Sequence, residues 1–149
     1  MKMLLQTDAA WSSAILRITV GLVMFPHGAQ KLLGWYGGHG FSGTMGFFTE
    51  TMGLAWIIAL LVILGESLGA VALIAGFMTR FVAGSLAIIM VGAVAMAHWD
   101  HGFFMNWFGQ QQGEGFEFHL LIIGMCLALV FSGGGKWSVD RAILGSARE

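Results

Sequence analysis

Residues 54–98 read LAWIIALLVILGESLGAVALIAGFMTRFVAGSLAIIMVGAVAMAH, which is two apolar segments joined by the short polar connection Met78-Thr79-Arg80. Helices joined so closely lie antiparallel and side by side. Each segment is near the ~20 apolar residues that a helix needs to cross a hydrocarbon core of ~30 Å. The sequence therefore predicts two neighbouring membrane-spanning helices, one over residues 54–77 and one over residues 81–98.

Two further apolar segments, residues 11–33 and 116–131, lie on either side of this pair, and a glycine-rich loop is predicted over residues 34–53. The alternation of apolar and polar residues that is typical of a membrane barrel is missing from all four segments. A helix satisfies its own backbone hydrogen bonds in lipid, so a helix is expected for each of them. We predict an all-α integral membrane protein, a four-helix transmembrane bundle that forms a single domain over residues 1–149.

The composition also favours a bilayer as the surroundings of this chain. Hydrophobic residues make up 57% of it and charged residues 10%, whereas soluble domains have roughly 25% charged residues. The net charge of -1 leaves no polybasic surface, so nucleic acid is excluded as a partner. Because Cys126 is the one cysteine, a thiol–disulfide relay within one chain is excluded as well.

The basic residues predict the orientation of the helices in the membrane. The loops opposite the termini hold Glu50, Asp100 and Glu114 and, apart from Lys31 at the end of the first helix, no basic residue. The side that holds the termini carries Lys2, Arg80, Lys136, Arg141 and Arg148. Since positively charged loops stay on the cytoplasmic side, both termini are predicted to be cytoplasmic.

Two charged residues, Arg17 and Glu66, fall inside predicted helices, where a charge is costly and is usually paired. From the rise of a helix, Arg17 lies ~9 Å and Glu66 ~15 Å from the cytoplasmic side, a gap that an arginine side chain can cover. We predict that the two residues pair, with either a structural or a functional role. One face of the first helix, predicted to point into the bundle, combines Arg17, Gly21, Met24, Gly28 and Lys31.

A second set of polar residues gathers at similar depth toward the outer face. It consists of His27, Lys31, His98, Glu117 and His119. Lys31 and Glu117 could form an ion pair at the interface. The three histidines could ligate haem or a metal ion, but their spacing matches no known site, and we expect neither a metal nor a flavin. The set is our candidate ligand site.

The chain also carries a series of short motifs. They are Arg17, His27-Gly28-x-x-Lys31-Leu32, Glu66-x-x-Gly69-Ala70, Gly76-Phe77-x-Thr79-Arg80, Glu117 and Ser132-Gly133-Gly134-Gly135-Lys136-Trp137-Ser138-Val139-Asp140-Arg141. In this order, over nearly the whole chain, the motifs resemble the DoxX family of small four-helix membrane proteins. The family shares its name with subunits of a thiosulfate:quinone oxidoreductase.

The resemblance implies a multi-pass protein of the prokaryotic cytoplasmic (inner) membrane with a link to respiratory redox chemistry. Our leading hypothesis is a quinone-associated subunit of a membrane redox system, with the quinone head group near His27, Lys31 and His119. His98 and Glu117 are the remaining candidates for the ligand site. Glu66 and Arg17 are the candidates for catalysis, with Glu66 as a proton store. Electrons would be exchanged with the quinone or with a redox-enzyme partner subunit, and the residues leave open whether the chain is itself an enzyme.

Two rival hypotheses remain open. The first is a non-enzymatic scaffold or assembly partner of redox enzymes, alone or as a homo-oligomer, whose polar face serves helix packing. The second is a small transporter, which would need a polar path from the outer set to Arg17 and Glu66. The third predicted helix has Ser85 as its only polar residue before His98, which argues against a wide path.

Overall fold

The computed structural model describes residues 5–7 and 9–146, and this part of the chain is all-helical, with no strand. Lys2 and Arg148, which the orientation prediction also used, lie outside the described residues. Within them the α-helices are α1, Trp11–Leu33; α2, Gly40–Gly46; α3, Trp56–Ala75; α4, Thr79–Ala93; α5, Glu117–Ser132; and α6, Val139–Ser146. The predicted all-α fold class is confirmed.

The four long helices lie where the apolar segments predict them. The bounds of α1 are those predicted, and α3 is two residues shorter at each end than residues 54–77. The third helix starts two residues earlier than predicted and continues beyond α4 through a wider helical turn, Val94–His98. Gly34 (φ 74°) and Gly76 (φ 71°) end α1 and α3 in the left-handed conformation, which glycine adopts without strain.

The four long helices pack in a closed ring. Helix α1 packs on α3, α3 on α4, α4 on α5, and α5 again on α1. The interior is apolar and contains Val20, Met24, Leu73, Leu86 and Ile122, all fully buried. The face of α1 that we predicted to point inward does so, because Arg17, Gly21, Met24 and Gly28 are buried.

The contact between α1 and α3 depends on glycine. A Cβ atom added to Gly28 would lie 2.5 Å from the main-chain oxygen of Glu66, and one added to Gly21 would lie 2.9 Å from that of Ala70. Both distances are shorter than any van der Waals contact. The backbones of α1 and α3 therefore meet over this part of their length, which brings the side chain of Lys31 close to α3.

Two helices were not predicted. Residues 34–53, predicted as a loop, contain α2 and a wider helical turn, Phe47–Thr51. Helix α2 packs on α1 and α3, and it buries Thr44 and Met45, so tertiary contacts compensate for its low intrinsic propensity. Helix α6 follows the glycine-rich segment after α5. Glycine content hid α2 from an argument based on composition, and the eight residues of α6 are too few to show a helical period.

Two helical runs, Trp56–Ala75 and Thr79–His101, are long and apolar enough to cross a membrane. Helix α5 is apolar too but has 16 residues. Large apolar side chains are exposed on the outside of the ring, for example Leu61, Leu68, Ile88 and Val91. An exposed apolar surface of this kind is suited to lipid.

Candidate functional site

We use two names for the ends of the ring. At the termini end, α1 and α4 begin, α3 and α5 end, and α6 contacts the start of α4. At the loop end lie the two long connections, residues 34–55 and 99–116. The predicted functional residues divide between these ends, and their surroundings differ.

Arg17 organises the termini end. Its side chain is 1% exposed, and its five N–H groups donate to five main-chain carbonyl oxygens. Nε donates to Gly134 (2.8 Å), Nη1 to Leu73 (3.1 Å) and Ile74, and Nη2 to Lys136 (3.0 Å) and Trp137 (2.9 Å). Two of the acceptors belong to the last turn of α3, where the helix dipole favours a cation. We call Arg17 and these five carbonyl groups the arginine cage.

Asp140 and Arg80 complete this end. The Asp140 carboxylate is fully buried and accepts hydrogen bonds from the main-chain N–H groups of Met78 (2.7 Å) and Thr79 (2.9 Å), at the start of α4. A carboxylate at a helix N-terminus satisfies donors that the helix itself leaves free. The Arg80 guanidinium donates to the carbonyl of Val130 (2.8 Å) near the end of α5. The motifs from α1, α3, α4 and the segment after α5 therefore meet in one polar network.

At the loop end, Lys31 and Glu66 form an ion pair. Lys31 Nζ donates to Glu66 Oε2 at 2.7 Å, and the exposed fractions of the two side chains are 25% and 7%. The pair links α1 to α3 one helical turn beyond the close approach at Gly28. His27 precedes Lys31 by four residues on α1, so the two side chains are neighbours on the helix surface.

Three histidines continue this polar region from α1 to α5 and the end of α4. The rings of His98 and His119 have centroids 4.1 Å apart, and the ring of His27 is 6.0 Å from that of Phe118. His98 Nδ1 donates to the carbonyl of Glu114 (2.8 Å), whereas the buried Nδ1 of His119 has no hydrogen-bond partner among the residues described. We call His27, His98 and His119 the histidine cluster.

The side chain of Glu117 turns to its own loop. Its Oε1 accepts hydrogen bonds from the main-chain N–H of Met105 and from the indole N–H of Trp107, both at 3.0 Å. Its main-chain N–H donates to the carbonyl of Phe103 at 2.9 Å. Glu117 therefore holds the second connection against the start of α5.

Comparison with known proteins identifies the family. The model of the DoxX family matches residues 12–99, which is more than half of the chain. The chain belongs to the DoxX family. The family is membrane-associated, in keeping with the two long apolar helices. No curated protein and no solved structure matches the chain.

In this DoxX protein, the family match and the site extend over different parts of the chain. Arg17, Lys31 and Glu66 lie within the matched residues, together with His27 and His98. Glu117 and His119 lie beyond residue 99, as does the segment 132–141 that supplies three carbonyls of the arginine cage. The conclusions about the second connection and α5 therefore rest on this chain's own geometry.

Two predicted ion pairs of this DoxX protein are wrong. Arg17 does not pair with Glu66, because the guanidinium points toward the termini end and uses all its donors on carbonyl groups. Lys31 does not pair with Glu117, because the close contact of α1 and α3 places it on Glu66. Arg17 meets the last turn of α3, whereas Lys31 meets Glu66 in the middle of α3, and sequence spacing does not reveal which of the two reaches Glu66.

The acceptors in the arginine cage were also missed by the sequence argument. They are main-chain atoms, which no residue type marks. The available signal was the segment Ser132-Gly133-Gly134-Gly135, since glycines that close together indicate a backbone that approaches other atoms closely. A Cβ atom on Gly134 would lie 2.7 Å from Thr79 Oγ1, and one on Gly135 would lie 2.5 Å from the carbonyl oxygen of Ala10.

A groove of about 520 Å³ lies outside the polar region, between α3 and α4. Its lining is apolar apart from Ser85 and includes Gly65 and Gly69, which face Ile89 and Val82. The histidine cluster lies elsewhere, around α5. Within the described residues, no group of three or more His, Cys, Asp or Glu side chains is arranged to hold a metal ion.

Proposed function

We propose that the chain is a four-span protein of the prokaryotic inner membrane, with both termini in the cytoplasm, and that it acts as a quinone-associated subunit of a membrane redox system. The quinone head group would lie at the histidine cluster. The observation that carries this proposal is the unpartnered, buried Nδ1 of His119.

A buried polar atom without a partner is rare in native proteins and calls for an explanation. His119 is 7% exposed, and leaving a polar atom of this kind unsatisfied costs about 1–3 kcal/mol. A bound ligand with a hydrogen-bonding oxygen would remove this cost. The carbonyl oxygen of a quinone can accept a hydrogen bond from an imidazole N–H, and the hydroxyl of a quinol can donate one to the unprotonated nitrogen.

The surroundings of His119 suit an amphipathic ring. Phe118 and His98 present aromatic faces close to it. His27 is exposed on the outside of the ring of helices, and its ring lies 6.0 Å from that of Phe118. A ligand dissolved in lipid could therefore reach His27 without crossing the core. A quinone in the crease between α1 and α5 would keep its tail in lipid.

The proposal assigns different roles to the charged residues. Lys31 and Glu66 would tune the protonation of His27, because their charges interact with it. Glu66 would accept or release a proton by opening its pair with Lys31. The quinone supplies the two-electron chemistry when bound, and a partner subunit exchanges the electrons. Arg17 has no free donor, and we assign it a structural role.

Co-purifying quinone tests the proposal. The detergent-purified protein would be extracted with solvent, and the extract analysed for quinone by mass spectrometry, for the parent and for the double variant His27→Ala, His119→Ala. His39→Ala, which changes an exposed histidine at the same end, is the control. Retention by the parent and the control, with loss from a folded double variant, is the expected result.

A parent protein without quinone, and without quenching of its tryptophan fluorescence by added quinone, would contradict the proposal. The scaffold hypothesis would then be favoured. It has support of its own, since Arg17, Gly76 and the segment 132–141, all parts of the motifs that resemble the family, contact one another and build structure.

The proposed topology has a separate test. Single cysteines would replace Gln112 at the loop end and Arg141 at the termini end, both exposed, in a Cys126→Ala background. A membrane-impermeant maleimide applied to intact cells should label the cysteine at 112 and leave the one at 141 unlabelled. Labelling of the cysteine at 141 alone would show that the orientation is the reverse of the proposed one.

A further inference from the structure

The second connection, residues 99–116, has an aromatic surface. Phe103, Phe104, Trp107 and Phe108 are exposed, and the exposed fractions of Trp107 and Phe108 are 77% and 88%. These side chains lie within six consecutive residues, 103–108, which we call the aromatic tip. A contiguous apolar surface of this kind normally marks a site of interaction with a protein or a membrane.

The polar groups next to the aromatic tip are satisfied from within the loop. Glu117 Oε1 accepts from the main-chain N–H of Met105 and from Trp107 Nε1. Glu114 Oε2 accepts from the main-chain N–H of Asn106 at 2.7 Å, and Asn106 Oδ1 accepts from the main-chain N–H of Gln111 at 3.0 Å. A polar group that is already hydrogen-bonded costs far less to remove from water than a free one. The aromatic tip can therefore leave water at low cost.

The aromatic surface follows the long apolar run Thr79–His101. Trp99, at the end of that run, stacks on Phe116 with a centroid distance of 5.6 Å, and Phe103 meets the edge of the same ring at 5.6 Å. Met96 is exposed one turn earlier on the run. Exposed apolar side chains thus lie both on the side of the ring of helices and on the loop, with the exposed Asp100 between them.

We propose that the aromatic tip inserts into the headgroup region of the outer leaflet and anchors the second connection to the bilayer. Phe and Trp side chains combine a large apolar area with, in Trp, one polar atom, and they favour this region of a membrane. Residues 99–116 contain no Lys or Arg, so the insertion is hydrophobic and does not depend on anionic lipid or on ionic strength.

The anchor has a consequence for the histidine cluster. The carbonyl of Glu114, in the same loop, accepts the hydrogen bond from His98 Nδ1. Insertion of the aromatic tip therefore fixes the partner that orients His98 against His119. The anchor rests on the proposed placement of the loop end at the outer face, and it holds whether or not a quinone binds.

Site-specific fluorescence in nanodiscs tests the anchor. In a Cys126→Ala background, an environment-sensitive NBD label would be attached to Phe108→Cys, to Gln112→Cys in the polar part of the loop, and to Ile88→Cys on the lipid-facing side of α4. The discs contain phosphatidylethanolamine and phosphatidylglycerol. Quenching would be compared between a nitroxide lipid labelled close to the headgroup and aqueous iodide.

The label at 108 should be quenched several-fold more by the nitroxide lipid, relative to iodide, than the label at 112. Iodide quenching at 108 equal to that at 112 would overturn the anchor and would indicate that the aromatic tip faces water and takes a protein partner. The label at 88 separates this failure from a failure of the topology, because it should be protected from iodide whenever α4 spans the bilayer.

Discussion

Both ends of the ring hold charged or polar side chains among apolar helices, but these side chains have different hydrogen-bond partners at the two ends. At the termini end, every donor of Arg17 has a carbonyl partner, and Asp140 serves the first N–H groups of α4. At the loop end, the ion pair is partly exposed and a buried nitrogen of His119 is left without a partner among the described residues. The buried Thr79 Oγ1 at the termini end also lacks a partner among the described residues, so an unpartnered atom does not by itself distinguish the two ends. The difference lies in the charged groups, which are fully hydrogen-bonded and buried at the termini end and partly exposed at the loop end, and in the aromatic rings beside His119.

The largest expected effect belongs to Arg17→Lys. Lysine keeps the charge but has three donors on one atom, so it cannot reach carbonyls from α3 and from the segment after α5 together. We expect a loss of stability of about 3–5 kcal/mol, the range for breaking a buried charge network. This loss of stability is measured by titrating the detergent-purified protein with dodecyl sulfate and monitoring its unfolding by circular dichroism. Arg141→Lys, at an exposed position, is the control; equal midpoints for the two variants would remove the structural role of the arginine cage.

The ion pair of the loop end should give a smaller effect. Lys31→Met leaves the Glu66 carboxylate buried and alone, at a cost of about 2–3 kcal/mol, below the range for a fully buried pair because Lys31 is a quarter exposed. The double variant Lys31→Met, Glu66→Leu removes both charges and should be more stable than Lys31→Met. The same titration measures both, and additive losses in the double variant would mean that the two charges do not interact.

The helix contact beside the ion pair offers a matched pair of glycines. Gly28→Ala places a methyl group against the main chain of α3 and should cost about 1–3 kcal/mol. A Cβ atom on Gly124, inside α5, meets no other described atom within 4 Å, so Gly124→Ala should stabilise the helix by about 0.5–1 kcal/mol. The thermal midpoint should fall in Gly28→Ala and rise in Gly124→Ala. A rise in both variants would show that α1 and α3 are not in close contact.

The smallest expected effect on stability is that of His119→Phe. Phenylalanine removes the unpartnered nitrogen, which regains about 1–3 kcal/mol, but its larger ring overpacks the site by a similar amount, so the net change in the free energy of unfolding should be less than about 1 kcal/mol. Quinone retention should nevertheless fall, which would separate function from stability at the loop end. A loss of stability as large as that of Gly28→Ala would mean that His119 has a structural partner in the protein.

The sequence predicts helices well and side-chain partners poorly. The long apolar segments predict the bounds of α1, α3 and α5 to within two residues, and those of α4 when the wider turn Val94–His98 is included, because helix length and hydrophobicity are local properties. Whether these helices form the predicted four-span transmembrane bundle stays a prediction. Helix α2 was missed because glycine lowers its local signal while packing supplies its stability, and α6 was missed because its eight residues are too few to show a helical period.

The candidate site shows the same division. Its residues could be selected by type and depth, and the rings of two of the histidines, His98 and His119, lie together. The partners could not be predicted, because they depend on which way a side chain points along its helix: Arg17 toward the termini end, Lys31 toward Glu66, and Glu117 into its own loop.

The arginine cage also constrains the order of events during synthesis. Gly134 and Trp137, which accept from Arg17, follow it by 117 and 120 residues. At 5–20 residues per second, the ribosome needs about 6–24 seconds to produce them after Arg17. Through that interval the guanidinium has part of its hydrogen bonds unmade. A nascent chain released before residue 134 would leave α1 with an unsatisfied cation, which makes it a ready target for membrane quality control.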